Sequence, residues 1–154
     1  MKITPGSVSL KELEYIFTND LPIKLCLSSK KQVDKSAGIV KSASADLEVS
    51  GKQKLSEIGL TLKETTNQIP KDIDWIIMVE GHTDKRPINT FKFPSNWELS
   101  TARANSVLKL LLDIGFAPDR LAAAGYGEFY PISNGDTDSD YQQNRRIELK
   151  LTSR

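Results

Sequence analysis

The chain has 154 residues, 21 lysines and arginines against 20 aspartates and glutamates, and a single cysteine. That length suits one ordinary domain, which can bury roughly 70% of its unfolded surface and needs neither metal nor disulfide to fold. The balanced charge excludes the basic footprint of a nucleic-acid binder. Cys26, alone in the apolar run Leu25-Cys26-Leu27, is expected as a small buried hydrophobe.

Residues 1–40 carry weak signals and are expected as an N-terminal arm, an extra strand or a linker. Within them residues 21–27 read as a strand, and the stretch 30–45 is small and polar without a period. The start lacks the apolar segment of a signal peptide, and no stretch approaches the ~20 apolar residues of a membrane span. As written the sequence is a soluble piece, with any export signal or anchor expected outside it. The domain proper is expected over residues 41–154.

Ser50 followed by Gln53 reads as a capping box, with Leu55, Ile58 and Leu62 after it at helical spacing. This helix should end before Pro70, because proline disfavours a helical residue ahead of it. Residues 74–80 are short, apolar and bounded by breakers, as a buried strand is. A polar loop with Pro87 and Pro94 follows. Ser95 and Glu98 form a second capping box, opening a helix with Leu99, Val107, Leu110, Leu111 and Ile114 on one face and Gly115 at its C-terminal cap. Residues 121–126 read as a second buried strand, residues 134–140 as a polar loop, and residues 146–151 alternate as a half-buried strand. The order implies an α+β two-layer sandwich, with helices on one face of a mixed sheet.

Catalytic readings fare poorly. His82 is the only histidine, and one histidine with one distant cysteine falls short of a zinc site. A Ser-His-Asp triad would have to use His82, yet no Gly-x-Ser-x-Gly elbow exists. No acid sits in a context that argues for the raised pKa of a glycosidase. The acidic run from Asp136 has Tyr141 and Ile147 where a calcium loop needs Gly and Glu. The reading therefore assigns no catalytic residue, no metal and no cofactor.

Two charges do not fit a plain surface. Arg103 lies on the stripe between Leu99 and Val107, near a helix N-terminus where the macrodipole disfavours cations. Asp84 follows directly after a strand, where ligands of α/β layouts gather. The loop between them returns the chain to the helix that carries Arg103. Either the two side chains pair and brace the loop, or they stand apart and grip a zwitterion, Asp84 taking an ammonium and Arg103 a carboxylate.

Four motifs occur in order: Gly81-His82-Thr83-Asp84, then Asn96-Trp97-Glu98-Leu99-Ser100-Thr101-Ala102-Arg103-Ala104, then Gly125-Tyr126-Gly127-Glu128, then Asn144-Arg145-Arg146-Ile147-Glu148. Together they resemble the OmpA-like peptidoglycan-binding domain, over about Ala43 to Leu151, in the form closest to MotB-related proteins. The resemblance implies non-catalytic binding of bacterial cell-wall peptidoglycan, tethering a membrane protein to the wall. In that family the aspartate of G-x-T-D and the arginine of L-S-x-x-R-A hold the diaminopimelate of the stem peptide; here these are Asp84 and Arg103.

Asn96, Thr83 and Arg145 are further candidate ligand contacts. Asn96 could instead support the helix cap, His82 is expected as a strand-end side chain, and Trp97 as packing rather than a sugar platform. The resemblance places the protein in the periplasm, touching a membrane only through an anchor outside this chain, with a homodimer left open. A rival reading makes the same grip the wall anchor of an ion-driven, flagellar-type motor stator. An enzyme acting on the wall is the weaker rival.

Overall fold

A computed structural model describes residues 23–26, 45 and 49–153. The expectations for residues 1–22, for most of the polar stretch 30–45 and for the burial of Cys26 lie outside what is described. Eight elements follow in order: β1 (Ile23–Cys26), α1 (Val49–Thr66), β2 (Trp75–Gly81), α2 (Asn96–Ile114), a 3-10 turn (Pro118–Arg120), β3 (Leu121–Gly125), α3 (Asp138–Asn144) and β4 (Ile147–Ser153). The strands form one sheet in the order β1-β4-β2-β3. β2 and β3 pair in parallel, while β4 runs antiparallel to both β1 and β2. The fold is the expected α+β arrangement on a mixed sheet.

The sheet alternates as a pleat must. Ile77 and Val79 of β2 and Leu149 and Leu151 of β4 point to one face. There they close a core with Leu55 and Leu62 of α1 and Val107 and Leu111 of α2. α2 is anchored at both ends. The Ser95 hydroxyl accepts from the Trp97 amide at 3.2 Å, and the Glu98 carboxylate accepts from the Ser95 amide at 2.8 Å. Gly115 closes the helix in the left-handed conformation at φ 94°. Lys63 of α1 donates to the Ile114 carbonyl at 2.9 Å, satisfying a carbonyl with no partner inside the helix.

How closely α2 approaches the sheet depends on two glycines. Gly81 and Gly125 are register partners at the ends of β2 and β3. A Cβ on Gly81 would lie 2.1 Å from the Ser100 carbonyl oxygen, and one on Gly125 would lie 2.5 Å from the Thr101 amide nitrogen. With no side chain at either position, the first turns of α2 rest directly on the strand ends. The Gly127 amide then donates to the Ser100 hydroxyl at 3.0 Å.

Three local expectations need correction. α1 already includes Val49, so Ser50 lies inside its first turn rather than at the N-cap. The stretch read as a polar loop over 134–140 runs into α3. Thr137 and Asp140 form the capping box of that helix, which has no apolar period to announce it. β4 is half-buried only in its later part: on the face opposite the core Lys150 and Thr152 are partly exposed, but Glu148 is fully buried and paired with Arg146. Among the described residues no helix is long and apolar enough to cross a membrane.

Candidate functional site

The chain leaves β2 under continued backbone restraint. The His82 amide donates to the Arg146 carbonyl at 3.0 Å, and the Thr83 amide to the Gly127 carbonyl at 2.9 Å. The segment is thus held between the loop after β3 and the start of β4, and Asp84 follows at a fixed place. The residue is only 6% exposed. Its carboxylate is enclosed by arginines. Arg86 donates through Nε to Oδ1 at 3.1 Å and through a terminal nitrogen to Oδ2 at 2.9 Å, while its own amide donates to Oδ1 at 3.0 Å. Arg145 donates to Oδ2 at 2.6 Å.

Arg103 completes the cluster from α2. It is 3% exposed and lies within electrostatic reach of both Arg145 and Asp84. Two guanidiniums thus hold the carboxylate directly, and a third lies buried nearby. Burial and the like charge of Arg145 pull the Arg103 pKa down to about 10, against the attraction of Asp84. It remains a cation at neutral pH. For Asp84 burial pushes upward, but the hydrogen bonds from Arg86 and Arg145 outweigh it and hold the carboxyl below its ordinary value. Asp84 has hydrogen-bonded partners in Arg86 and Arg145 and attracts the charge of Arg103.

Asn96 and Thr83 are built into the same corner. Asn96, the first residue of α2, is buried and donates to the Arg86 carbonyl at 3.1 Å and the Asp84 carbonyl at 3.5 Å. It ties the loop backbone to the helix start. The Thr83 hydroxyl is covered and makes no hydrogen bond among the described residues, which is uncommon for a buried polar atom.

Arg86 was not picked out from the sequence. The one available signal was its spacing from Asp84, since aspartates readily accept from a backbone amide two residues on. Two contacts hold its segment to α3 and to the turn just before that helix. The Arg86 guanidinium lies 4.6 Å from the centre of the Tyr141 ring, and Lys85 pairs with Asp136. Trp97 is neither buried nor alone, because it stacks on Phe129 with ring centroids 5.0 Å apart. Arg146 is structural, bonded to Glu148 at 2.6 Å and to the Tyr130 carbonyl at 3.0 Å.

On the sheet face opposite the core, Glu80, His82 and Glu148 bring three metal-capable atoms within 4.8 Å of one another. Their chemistry favours a compensated polar network over a metal centre. Lys150 holds Glu80 at 2.7 Å, Arg146 holds Glu148, and the Tyr126 hydroxyl donates to Glu80 at 3.2 Å. The His82 ring, buried directly after the end of β2 as expected of a strand-end side chain, stacks on Tyr126 at 5.3 Å. A metal would have to displace an ammonium and a guanidinium from carboxylates already neutralised.

Known proteins resemble this chain over the same region. Motility protein B of Bacillus subtilis is 34% identical over 107 residues, covering 68% of this chain and 41% of that protein. Peptidoglycan-associated lipoprotein of Pseudomonas aeruginosa is 35% identical over 74 residues, 48% of this chain and 42% of that one. The chain thus spans less than half the length of these relatives. The crystal structure of the periplasmic domain of Helicobacter pylori MotB superposes with a TM-score of 0.66 at 26% identity, covering 86% of this chain and 81% of the other. The cell wall anchor of the type VI secretion system of Pseudomonas aeruginosa gives 0.63 at 32% identity, covering 75% and 76%. A description of the OmpA family matches residues 41–145, well over half of the sequence. The chain belongs to the OmpA family.

Proposed function

We propose that this chain binds cell-wall peptidoglycan without cleaving it, gripping the diaminopimelate of the stem peptide and tethering a membrane protein to the wall. The observation that carries the reading is buried Asp84, hydrogen-bonded by Arg86 and Arg145, with the buried cation of Arg103 on α2 within electrostatic reach. The far end of diaminopimelate bears an ammonium and a carboxylate on one carbon. Its ammonium is directed to Asp84 and its carboxylate to Arg103 and Arg145. Asn96 holds the loop in shape, and the Thr83 amide pins the same loop to the Gly127 carbonyl. Each charge-assisted hydrogen bond contributes ~1.5–3 kcal/mol. Lost translational freedom and desolvation offset much of that, so moderate affinity is expected.

What supports binding over hydrolysis is the state of Asp84. Its carboxyl is held below the ordinary value, the reverse of what a general acid needs. The proposed location is the periplasmic side of the cell envelope, with the membrane reached through an anchor elsewhere in the protein. The likeness to motility protein B favours a second reading, in which the same grip fixes an ion-driven motor stator to the wall.

The test is sedimentation with purified sacculi of two stem types. The protein should pellet with diaminopimelate-type sacculi, pellet less with lysine-type sacculi, which lack the distal carboxylate, and release no soluble muropeptides. Equal pelleting with both types would remove diaminopimelate from the account. Released muropeptides would make the protein an enzyme.

A further inference from the structure

We propose that Trp97 and Phe129 form a second subsite, a stacking platform for a pyranose ring of the glycan strand from which the stem peptide hangs. The inference rests on the reading that Asp84 and Arg103 hold the stem. The two rings lie 5.0 Å apart at an interplanar angle of 25°, and remain 47% and 57% exposed. Each ring has its partner on one side, and half of its surface stays in water. Single exposed apolar residues need no explanation, but here two large rings are held together as one half-exposed aromatic face.

The pair is joined to both walls of the acid–arginine cluster. Trp97 directly follows Asn96, whose amide group holds the carbonyls of Asp84 and Arg86. The Trp97 carbonyl accepts from Ser100 and Thr101 at 3.0 and 2.8 Å, fixing the backbone beneath the indole. On the other side the Gly127 carbonyl accepts from the Thr83 amide, and the Phe129 amide closes a turn onto Tyr126. Gly127 has φ 56°, and a Cβ there would sit 3.4 Å from the Phe129 ring and 3.7 Å from the Asn96 carbonyl carbon. The platform therefore rests on the N-terminal turn of α2, against the residue that shapes the Asp84 loop. Both backbones are pinned before any ligand arrives, which lowers the entropic cost of stacking.

The chemistry selects the occupant. An aromatic face suits the C–H face of a sugar ring, amphipathic and nearly flat, and requires no charge of the ligand. A stem peptide seated at Asp84 brings its sugar into the same neighbourhood.

The test titrates the full chain with two probes, free meso-diaminopimelate and a soluble disaccharide-tripeptide containing it. Trp97→Ala and Phe129→Ala should each weaken the disaccharide-tripeptide about tenfold, the scale of a lost aromatic contact with its buried area. Affinity for diaminopimelate should move by less than about twofold, within the few tenths of a kcal/mol typical of a distant surface change. Trp97→Phe, which keeps an aromatic face, should retain most of the affinity for the larger probe. Circular dichroism checks that each variant is folded.

Equal weakening of both probes makes Trp97 a packing residue and overturns the subsite, as does no change in either. If the parent dimerises and Trp97→Ala abolishes the dimer without altering the probe ratio, the platform is a contact between copies of this chain. Asp84→Ala examines the underlying reading separately, since it should lose both probes while leaving the platform intact.

Discussion

The close approach of α2 to the sheet makes Gly81→Ala the sharpest test of how the site is positioned. The added Cβ would sit 2.1 Å from the Ser100 carbonyl oxygen and 2.9 Å from its carbon, both backbone atoms that no rotamer change can move. To reach the 3.4 Å of ordinary contact, helix and strand must separate by about 1.3 Å, the difference of the two distances. Overpacking a core costs ~1–3 kcal/mol, and a backbone obstacle places this change at the upper end. Urea unfolding should show a loss of about 3 kcal/mol with an unchanged slope. Binding to diaminopimelate sacculi should also weaken at temperatures where the variant is fully folded, because the Asn96 and Arg103 end of α2 moves away from Asp84. Gly59→Ala is the control. Its Cβ would meet the Ile114 Cδ1 at 2.5 Å, a movable side-chain end. Alanine gains ~0.5–1 kcal/mol over glycine inside a helix, which offsets the crowding. If Gly81→Ala lies within about 0.5 kcal/mol of the parent, or Gly59→Ala is as costly, the account of helix placement is wrong.

Three further outcomes are expected. Arg146→Met removes one partner of a fully buried ion pair with Glu148 and should destabilise the protein by ~3–5 kcal/mol in urea melts, because the remaining carboxylate is left uncompensated. Arg86→Lys keeps the charge but loses the two-pronged bond to Asp84. Calorimetry should show diaminopimelate binding about fivefold tighter, since the Arg86 side chain is 49% exposed and competes only weakly for the carboxylate; weaker binding would mean Arg86 is itself a ligand contact. The Asp84 carboxyl is held below its ordinary value of 3.8 in the folded protein. Its stabilising contribution is therefore fully present above that value and lost as pH falls through the lower folded-state value. The stability difference between the parent and Asp84→Asn should be constant from about pH 5 to 8 and shrink below about pH 4. A difference that shrinks on raising pH would contradict the arginine enclosure.

The elements legible in the sequence are those whose signals are local. α2 was readable at both ends because Ser95 and Glu98 cap its start and Gly115 its finish, and β2 because apolar residues run between breakers. α3 escaped because seven residues carry no apolar period, and its cap, Thr137 with Asp140, looked like part of an acidic turn. Alternation in β4 suggested a wet face, but a period of two cannot say whether the second face is covered, and Glu148 lies buried there. Nor could chain order reveal that β4 inserts between β1 and β2. At the site, Asp84 and Arg103 stood out because each broke a local rule. Arg86 broke none, and its role appears only once the loop folds its guanidinium back onto Asp84.

The most direct measurement is the affinity of Asp84→Ala and Arg103→Ala for diaminopimelate-type sacculi, beside parent protein and with folding verified. If one acid and one cation together hold the stem, each variant alone should lose at least about tenfold, the value of one charge-assisted contact. Two folded variants that sediment as the parent does would show that the wall is held somewhere else.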